Sequence, residues 1–596
     1  MKLMMLLLGM LFFYSGCHHS ESTITQIDRP NILLIFTDDQ GYGDVGIHGN
    51  HDLDTPSLDA LARESVRLDN FRSQSVCSPG RATLLTGRHF LKTGVWGAGF
   101  GRQYLNLDEN TIADIFQSAG YNTSMLGKWH LGKGGPYLPQ ARGFDDTWRL
   151  HQNHDHLDPV LDHNGTTLQV QGWTADYLTN RVIDQLKEKP YQSHFIYLAY
   201  PLIHEPFEAP DSLVQKYRAR GFSASLSTLY AMTEQLDQNV GRLMHTLDET
   251  GLKKNTIVLF IGDNGLIGNP TNMPHLTKEE LDRRNPRGFR GLKGSLFEGG
   301  LRVPAFVSWP EKFPPRIVSE NTDLTDILPT LLDVCGISLP DGNHPVDGIS
   351  LLPLLKGTAD TLRRRYLYYA NHEAGWPAGK NERFFFNDRD QLKFELTDLA
   401  VLYGDYKYVS IWNGSMKGLY NLATDPSETT GLNDSVPEIL NQMQQQLQAW
   451  WSGDVIEKSD SYKMPTFFVG YPGEDINTVY AHAPRATYGN VQNKRSYTFN
   501  WRNNGDGQDH LLEVVEGGRY KIMADCKVTN AAGKLEIVIG DQRLTAPIKE
   551  GNELELGEID LPMGPAVLQI RLVEVPTNDQ LILDEFTAIK FQRLPE

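Results

Sequence analysis

A chain of 596 residues is too long for one compact core, so two or three domains are expected, and a 40% hydrophobic content is enough to bury a large one. The 74 Asp+Glu against 56 Lys+Arg leave a net charge of −18, a surface that repels phosphodiester backbones and excludes nucleic acid as the main partner. The four cysteines, Cys17, Cys77, Cys335 and Cys526, give no disulfide framework.

In chain order, Met1-Lys2, an apolar run from Leu3 to Phe13 and Tyr14-Ser15-Gly16-Cys17 have the shape of an export signal, too short for a membrane span. Ser15-Gly16-Cys17 resembles the end of a bacterial lipoprotein signal, with Tyr14 where Leu is preferred. The expectation is an exported protein, in the periplasm or at the cell surface, held to a membrane by lipid on Cys17; ordinary signal cleavage is the alternative. Cys335, closing the apolar run "DILPTLLDVCG", and Cys526, in the strand-like "YKIMADCKV", are expected to be buried as small hydrophobes.

Short apolar runs, "NILLIF", "NTSMLG", "HFIYLAY", "TIVLFIG" and "VPAFVSW", alternate with helical patterns such as "NTIADIFQSAG" and "STLYAMTEQLDQNVGRLMHTLDETG", the last closed by Gly251. Such alternation predicts an α/β domain over 28–360, a mostly parallel sheet covered by helices on both faces, with functional groups at strand ends. Residues 361–452 read as a small subdomain of short strands followed by a Gln-rich helix that Pro437 starts. A polar, Pro/Gly-bearing linker is expected over 453–475, and alternating strands over 476–596 predict a β-sandwich of carbohydrate-module type. That sandwich is either a tether for polymer near the site or a scaffold.

Two strand ends carry chemistry. "NILLIFT" delivers Asp38-Asp39 and "IVLFIG" delivers Asp263-Asn264, oxygen donors that suit a hard divalent cation better than zinc; an ordinary acidic turn is the alternative for each. Four histidines, His151, His154, His156 and His163, lie in "LHQNHDHLDPVLDHNG" without helical spacing, which suits a substrate-contacting loop or a solvated turn better than a second metal. Trp96, Arg102 and Tyr104 suit stacking on and gripping a sugar, with core packing an equal reading for Trp96.

"CSPGRATLLTGR" is similar to the signature of the formylglycine-dependent sulfatases, whose Cys-x-Pro-x-Arg cysteine is oxidised to an aldehyde before folding. "PNILLIFTDDQGYGD", "GYNTSMLGKWHLG", "YLAYPLIHEPFEAP", "LFIGDNG", "LKGSLFEGGLRVP" and "LYNLATDPSETTGL" follow the same family in order, from residue 30 to about 450. One departure is Gly80, where Ser or Ala is usual. The resemblance implies an alkaline-phosphatase-like fold, a formylglycine at Cys77, and one Ca2+ held by Asp38, Asp39, Asp263, Asn264 and an oxygen of the modified Cys77. A hydrated aldehyde attacks sulfur with one hydroxyl and releases sulfate through the second, whereas a serine would stay trapped as a sulfate ester.

The same resemblance gives Arg81 the task of steadying the nucleophile, Lys128 and Lys293 the sulfate oxygens, His130 the base and His204 the leaving-group acid. It further implies a formylglycine-generating or sulfatase-maturating enzyme as partner. The expected substrate is a sulfated polysaccharide or oligosaccharide. The rivals are a phosphonate or phosphodiester hydrolase on the same core and a non-catalytic glycan-binding lipoprotein.

Overall fold

The computed structural model describes residues 29–151, 154–371, 394, 397–411, 416–456, 465–576 and 580–595. Cys17 and the signal-like N-terminus lie outside the described residues, as does part of the segment expected to be a linker.

A ten-stranded mixed sheet organises the first domain. Its centre is parallel: Thr256–Gly262, Asn31–Thr37, His194–Ala199, Asn122–Gly127 and Asp146–Leu150 lie side by side in that order. On one side Ala305–Ser308 pairs antiparallel with both Thr256–Gly262 and Val66–Leu68, and Arg316–Val318 adds to Val66–Leu68 in parallel as the edge; on the other, Val160–His163 and Thr166–Gln169 pair antiparallel. The central strands are apolar throughout because both faces are covered. Ile32, Leu34 and Phe36 pack beneath the Cys77–Thr86 helix on one face, and Leu33 and Ile35 meet the long helix Ala224–Glu249 on the other. Gly251 follows that helix at φ 72°, the left-handed backbone that ends it.

Next comes a four-stranded antiparallel sheet, Tyr366–Asn371, Asp398–Tyr403, Tyr406–Ile411 and Met416–Asn421, with the helix Pro437–Trp450 beginning at its proline. A buried ionic knot joins it to the α/β domain: Lys407 Nζ reaches Glu298 at 3.0 Å and Glu428 at 2.9 Å, while Arg72 and Arg302 hold the same Glu298.

Two sheets then face each other as a β-sandwich, its inward residues alternating with outward ones along Gly518–Val528 and Lys534–Ile539. Thr466–Val469, inside the stretch expected to be a linker, is a sandwich strand that pairs in parallel with Gly507–Val514. The sandwich core also takes in Tyr104 and Tyr137 of the α/β domain. Cys526 is buried there as expected, but Cys335 is only half-buried, because the helix Ile327–Cys335 ends at it.

Candidate active site

The parallel centre of the sheet brings the acids together. Thr37 pairs with Gly262, so Asp38-Asp39 and Asp263-Asn264 leave neighbouring strands at the same edge, and all four side chains are fully buried. Asp39 takes φ 62°, left-handed backbone that costs a non-glycine residue about 1 kcal/mol. Its N–H donates to Asp263 Oδ1 at 3.0 Å, and Asn264 Nδ2 donates to Asp39 Oδ1 at 2.7 Å.

Cys77 is the first residue of a ten-residue helix that is buried along its whole length. The helix N-terminus carries partial positive charge, which favours an anion beside residue 77. One turn on, Arg81 donates to Asp263 Oδ2 at 2.9 Å and to the Lys128 carbonyl at 2.8 Å. A Cβ on Gly80 would stand 2.6 Å from the Asp263 carbonyl oxygen and 3.3 Å from Ser73 Oγ, and the Ser73 hydroxyl donates to that same carbonyl. Glycine here is what lets the helix approach the Asp263 strand end so closely.

Two more strand ends complete the site. After Asn122–Gly127, Lys128 Nζ pairs with Asp38, and His130 takes φ 60°. His130 Nε2 lies 3.0 Å from the Ala98 carbonyl and Nδ1 lies 3.2 Å from Cys77 Sγ. A carbonyl only accepts, so the proton is on Nε2 and the Nδ1 lone pair faces residue 77. After His194–Ala199, His204 Nδ1 donates to the Glu205 carbonyl at 2.6 Å, leaving Nε2 3.6 Å from Asp39 Oδ2. Lys293 Nζ is 2.7 Å from Asp39 Oδ1.

Charge and burial set the protonation states. Burial pushes Asp38 up, but Lys128, His204, Arg81 and Lys293 outweigh it and hold its carboxyl well below the usual range. Asp263 is pushed up to about 8 by burial and by the charge of Asp38, against Arg81. His204 is pushed down to about 3 by burial and then Lys293, and His130 falls well below the histidine range through burial, Lys128 and Arg495. Burial also raises the Cys77 thiol, against the pull of Lys128 and Lys293.

The donor set fits a hard cation. Asp38 Oδ1 and Asn264 Oδ1 are buried without a hydrogen-bond partner, two oxygens left for a ligand that binds oxygen. Asp38, Asp39 and His204 also present donor atoms within 4.8 Å of one another. The imidazole is the less suitable of these: an oxygen-seeking ion prefers the orphaned amide oxygen of Asn264.

All the sequence-predicted site residues, Cys77, Arg81, Lys128, His130, His204, Lys293, Asp38, Asp39, Asp263 and Asn264, thus meet at one edge of the sheet. The histidine segment, expected to be a substrate loop or solvated turn, packs against His204: His154 stacks on its ring at 4.0 Å, and His156, buried, donates from Nε2 to the His204 carbonyl at 2.8 Å. His163 instead stacks on Trp148 at 3.8 Å. Trp96, Arg102 and Tyr104 are buried, so core packing and not an open sugar platform accounts for them, with Arg102 4.5 Å over the Trp96 ring.

Comparison with known proteins places these features. The chain matches the Sulfatase family over residues 30–337 and the family described as "N-sulphoglucosamine sulphohydrolase, C-terminal" over 292–452. It is 31% identical to human arylsulfatase A over 467 residues, covering 70% of this chain and 86% of that one. Rat arylsulfatase G is 31% identical over 432 residues, 63% of this chain and 78% of that one. Among solved structures, Ps i-CgsB in complex with k-i-k-neocarrahexaose aligns with a TM-score of 0.62 at 24% identity, covering 72% of this chain and 95% of that one. BT4656 in complex with its substrate D-glucosamine-2-N,6-O-disulfate aligns with a TM-score of 0.54 at 19% identity, covering 72% and 100%.

Proposed function

Since the chain belongs to the sulfatase family and is a sulfuric ester hydrolase, we propose that it removes sulfate from O-sulfate esters of a glycan, with Cys77 converted to formylglycine and one Ca2+ in the site. The observation that carries this is the His130 Nδ1 lone pair, 3.2 Å from Cys77 Sγ, within a cluster of lysines and buried carboxylates. Asp38, Asp39, Asp263 and Asn264, with an oxygen of residue 77, would hold the ion, which supplies positive charge against the nucleophile and the sulfate. Names of structural neighbours, one bound to a neocarrahexaose and one to a disulfated glucosamine, support a glycan as the substrate class.

The protein's own groups divide the remaining work. Lys128 and Lys293 grip sulfate oxygens, and Arg81 fixes the helix end that presents residue 77. His130 accepts a proton from the hydroxyl of the modified residue 77 at Nδ1, its tautomer fixed by the Ala98 carbonyl. His204 delivers a proton from Nε2 to the leaving oxygen. The low affinity of its ring for a proton is partly due to Lys293, so an anionic sulfate on that lysine raises it toward a useful range.

Export, a lipid anchor on Cys17 and a maturating enzyme that modifies Cys77 belong to the same proposal. Peptide mass spectrometry tests its core: fully active protein with only unmodified Cys77 would falsify it. Product chromatography on defined sulfated oligosaccharides identifies the sugar and position. Equal turnover of sulfate and phosphate esters would favour the phosphonate or phosphodiester alternative.

A further inference from the structure

Two loops meet at His130, and the β-sandwich grips both. In the first, the Ala98 carbonyl accepts from His130 Nε2 at 3.0 Å. Two residues on, the Phe100 N–H donates at 3.3 Å to the carbonyl of Arg495, which lies between the sandwich strands Gln492–Asn493 and Thr498–Phe499. The Arg495 side chain packs against Gly99: a Cβ built there would stand 2.5 Å from Arg495 Cγ and 3.2 Å from its Nε. Phe100 takes φ 59°, left-handed backbone that a bulky residue adopts only under constraint. The same loop runs on into Gln103, whose amide meets His482 at 3.3 Å, and Tyr104, whose ring meets Phe467 edge-on at 5.9 Å.

The second loop follows His130. Trp129, its chain neighbour, donates from Nε1 to the Tyr137 carbonyl at 2.8 Å, and the Tyr137 hydroxyl accepts from the Thr466 N–H of the sandwich at 3.1 Å. Glu474 Oε1 accepts from the Gly135 N–H at 2.7 Å. The Leu105 N–H donates to the Leu131 carbonyl at 3.3 Å and so joins the two loops. His130 sits between them at φ 60°, backbone that persists only where its surroundings hold it. The family matches end at residue 452, so every sandwich residue in these contacts lies outside the matched sulfatase core.

We propose that the β-sandwich positions the catalytic base, with Arg495 as the positioning residue: by filling the space beside Gly99 and accepting from Phe100, it keeps the Ala98 carbonyl on His130 Nε2 and hence the Nδ1 lone pair on residue 77. The role rests on the reading of His130 as the base. It differs from a tether, which would matter for polymers alone. A displaced base costs turnover on any ester, and a shift of about 1 Å can cost on the order of 10²-fold in rate.

The space beside Gly99 gives the test, in the full-length enzyme, with turnover of 4-nitrophenyl sulfate expressed per formylglycine-bearing molecule. Gly99 is not left-handed, and the three nearest atoms outside its own chain segment all belong to Arg495, so Gly99→Ala presses first on that side chain. Its kcat should fall at least about tenfold, while the Ki of inorganic sulfate, gripped by Lys128 and Lys293, stays within about twofold. Adding Arg495→Ala makes room for the methyl, leaves the backbone contact to Phe100 in place, and should bring kcat back to within about threefold of wild type. Wild-type kcat in Gly99→Ala, a loss that Arg495→Ala does not relieve, or a Ki that rises as far as kcat falls overturns the positioning role. If Gly99→Ala does not fold, Tyr137→Phe decides, since it removes the acceptor of the Thr466 N–H: kcat should fall about threefold at constant Ki, and wild-type kcat overturns the role. His130→Ala separates the two readings. It should cost at least about 10²-fold in kcat, and wild-type turnover there overturns His130 as the base itself.

Discussion

The α/β domain and the β-sandwich both bury polar groups, but of opposite kinds. At the strand ends of the first, Asp38, Asp39, Asp263, Arg81, Lys128 and Lys293 crowd charge into the interior and leave oxygens unpartnered. Inside the second, neutral groups pair with each other: Thr498 Oγ1 donates to Gln508 Oε1 at 2.8 Å, and the Gln508 amide reaches His510 at 2.9 Å. Buried charge is expensive and is rarely kept for stability alone, whereas a neutral network costs little and helps fix a unique packing. The first arrangement serves chemistry and the second serves structure.

Removing charge from the first region should be the most damaging change. Asp38→Ala or Asp263→Ala should lower kcat/KM at least about 10³-fold, because each removes a proposed ligand of the ion and leaves a buried cation without its carboxylate. Chelation should act likewise. In the sandwich, Gln508→Leu should leave kcat unchanged and cost about 1–3 kcal/mol in calorimetric stability. Near-normal turnover in either aspartate variant would break the contrast.

His204→Ala sharpens it within the charged region. Turnover of sugar sulfates should fall about 10²-fold, while an activated aryl sulfate, whose phenolate leaves without a proton, should lose less than about tenfold. Equal losses would reassign His204 to sulfate binding. A smaller effect, about tenfold in kcat/KM, is expected of Gly80→Ala, since the added methyl displaces the Asp263 strand end; wild-type kinetics would show that the backbone there yields freely.

The smallest effect is on the sandwich alone. Burial pushes His482 and His510 down to about 3, so both are neutral in the fold but take up a proton on unfolding below about pH 6.5. The unfolded state then binds more protons, so stability is complete above about pH 6.5 and is lost as pH falls toward 3. The loss is about 2 kcal/mol per histidine at pH 5. His510→Gln should flatten that slope in melting curves between pH 7 and 5; an unchanged slope would exclude this residue from the acid response.

Much of the site is legible in sequence because each strand and its acids are contiguous: an apolar run ending in Asp38-Asp39 or Asp263-Asn264 declares both the element and the group at its tip. The helices and the doubly covered sheet follow from the same alternation. The margins of the sheet do not, since short strands such as Val66–Leu68 take their direction from neighbours far along the chain. His154 and His156 are visible in the sequence, but their contact with His204 is not, because no periodicity links them to it. Thr466–Val469 is hidden by flanking prolines and glycine.

Cys77 is sealed in at zero exposure, on a helix with no exposed residue. A macromolecular catalyst cannot reach such a thiol in the finished protein, so the proposed conversion to formylglycine requires modification before the sheet closes around it. Activity then becomes a record of how each molecule was made. Folded protein from cells without the maturating enzyme should gain no aldehyde when that enzyme is added afterwards, but should gain it if first unfolded.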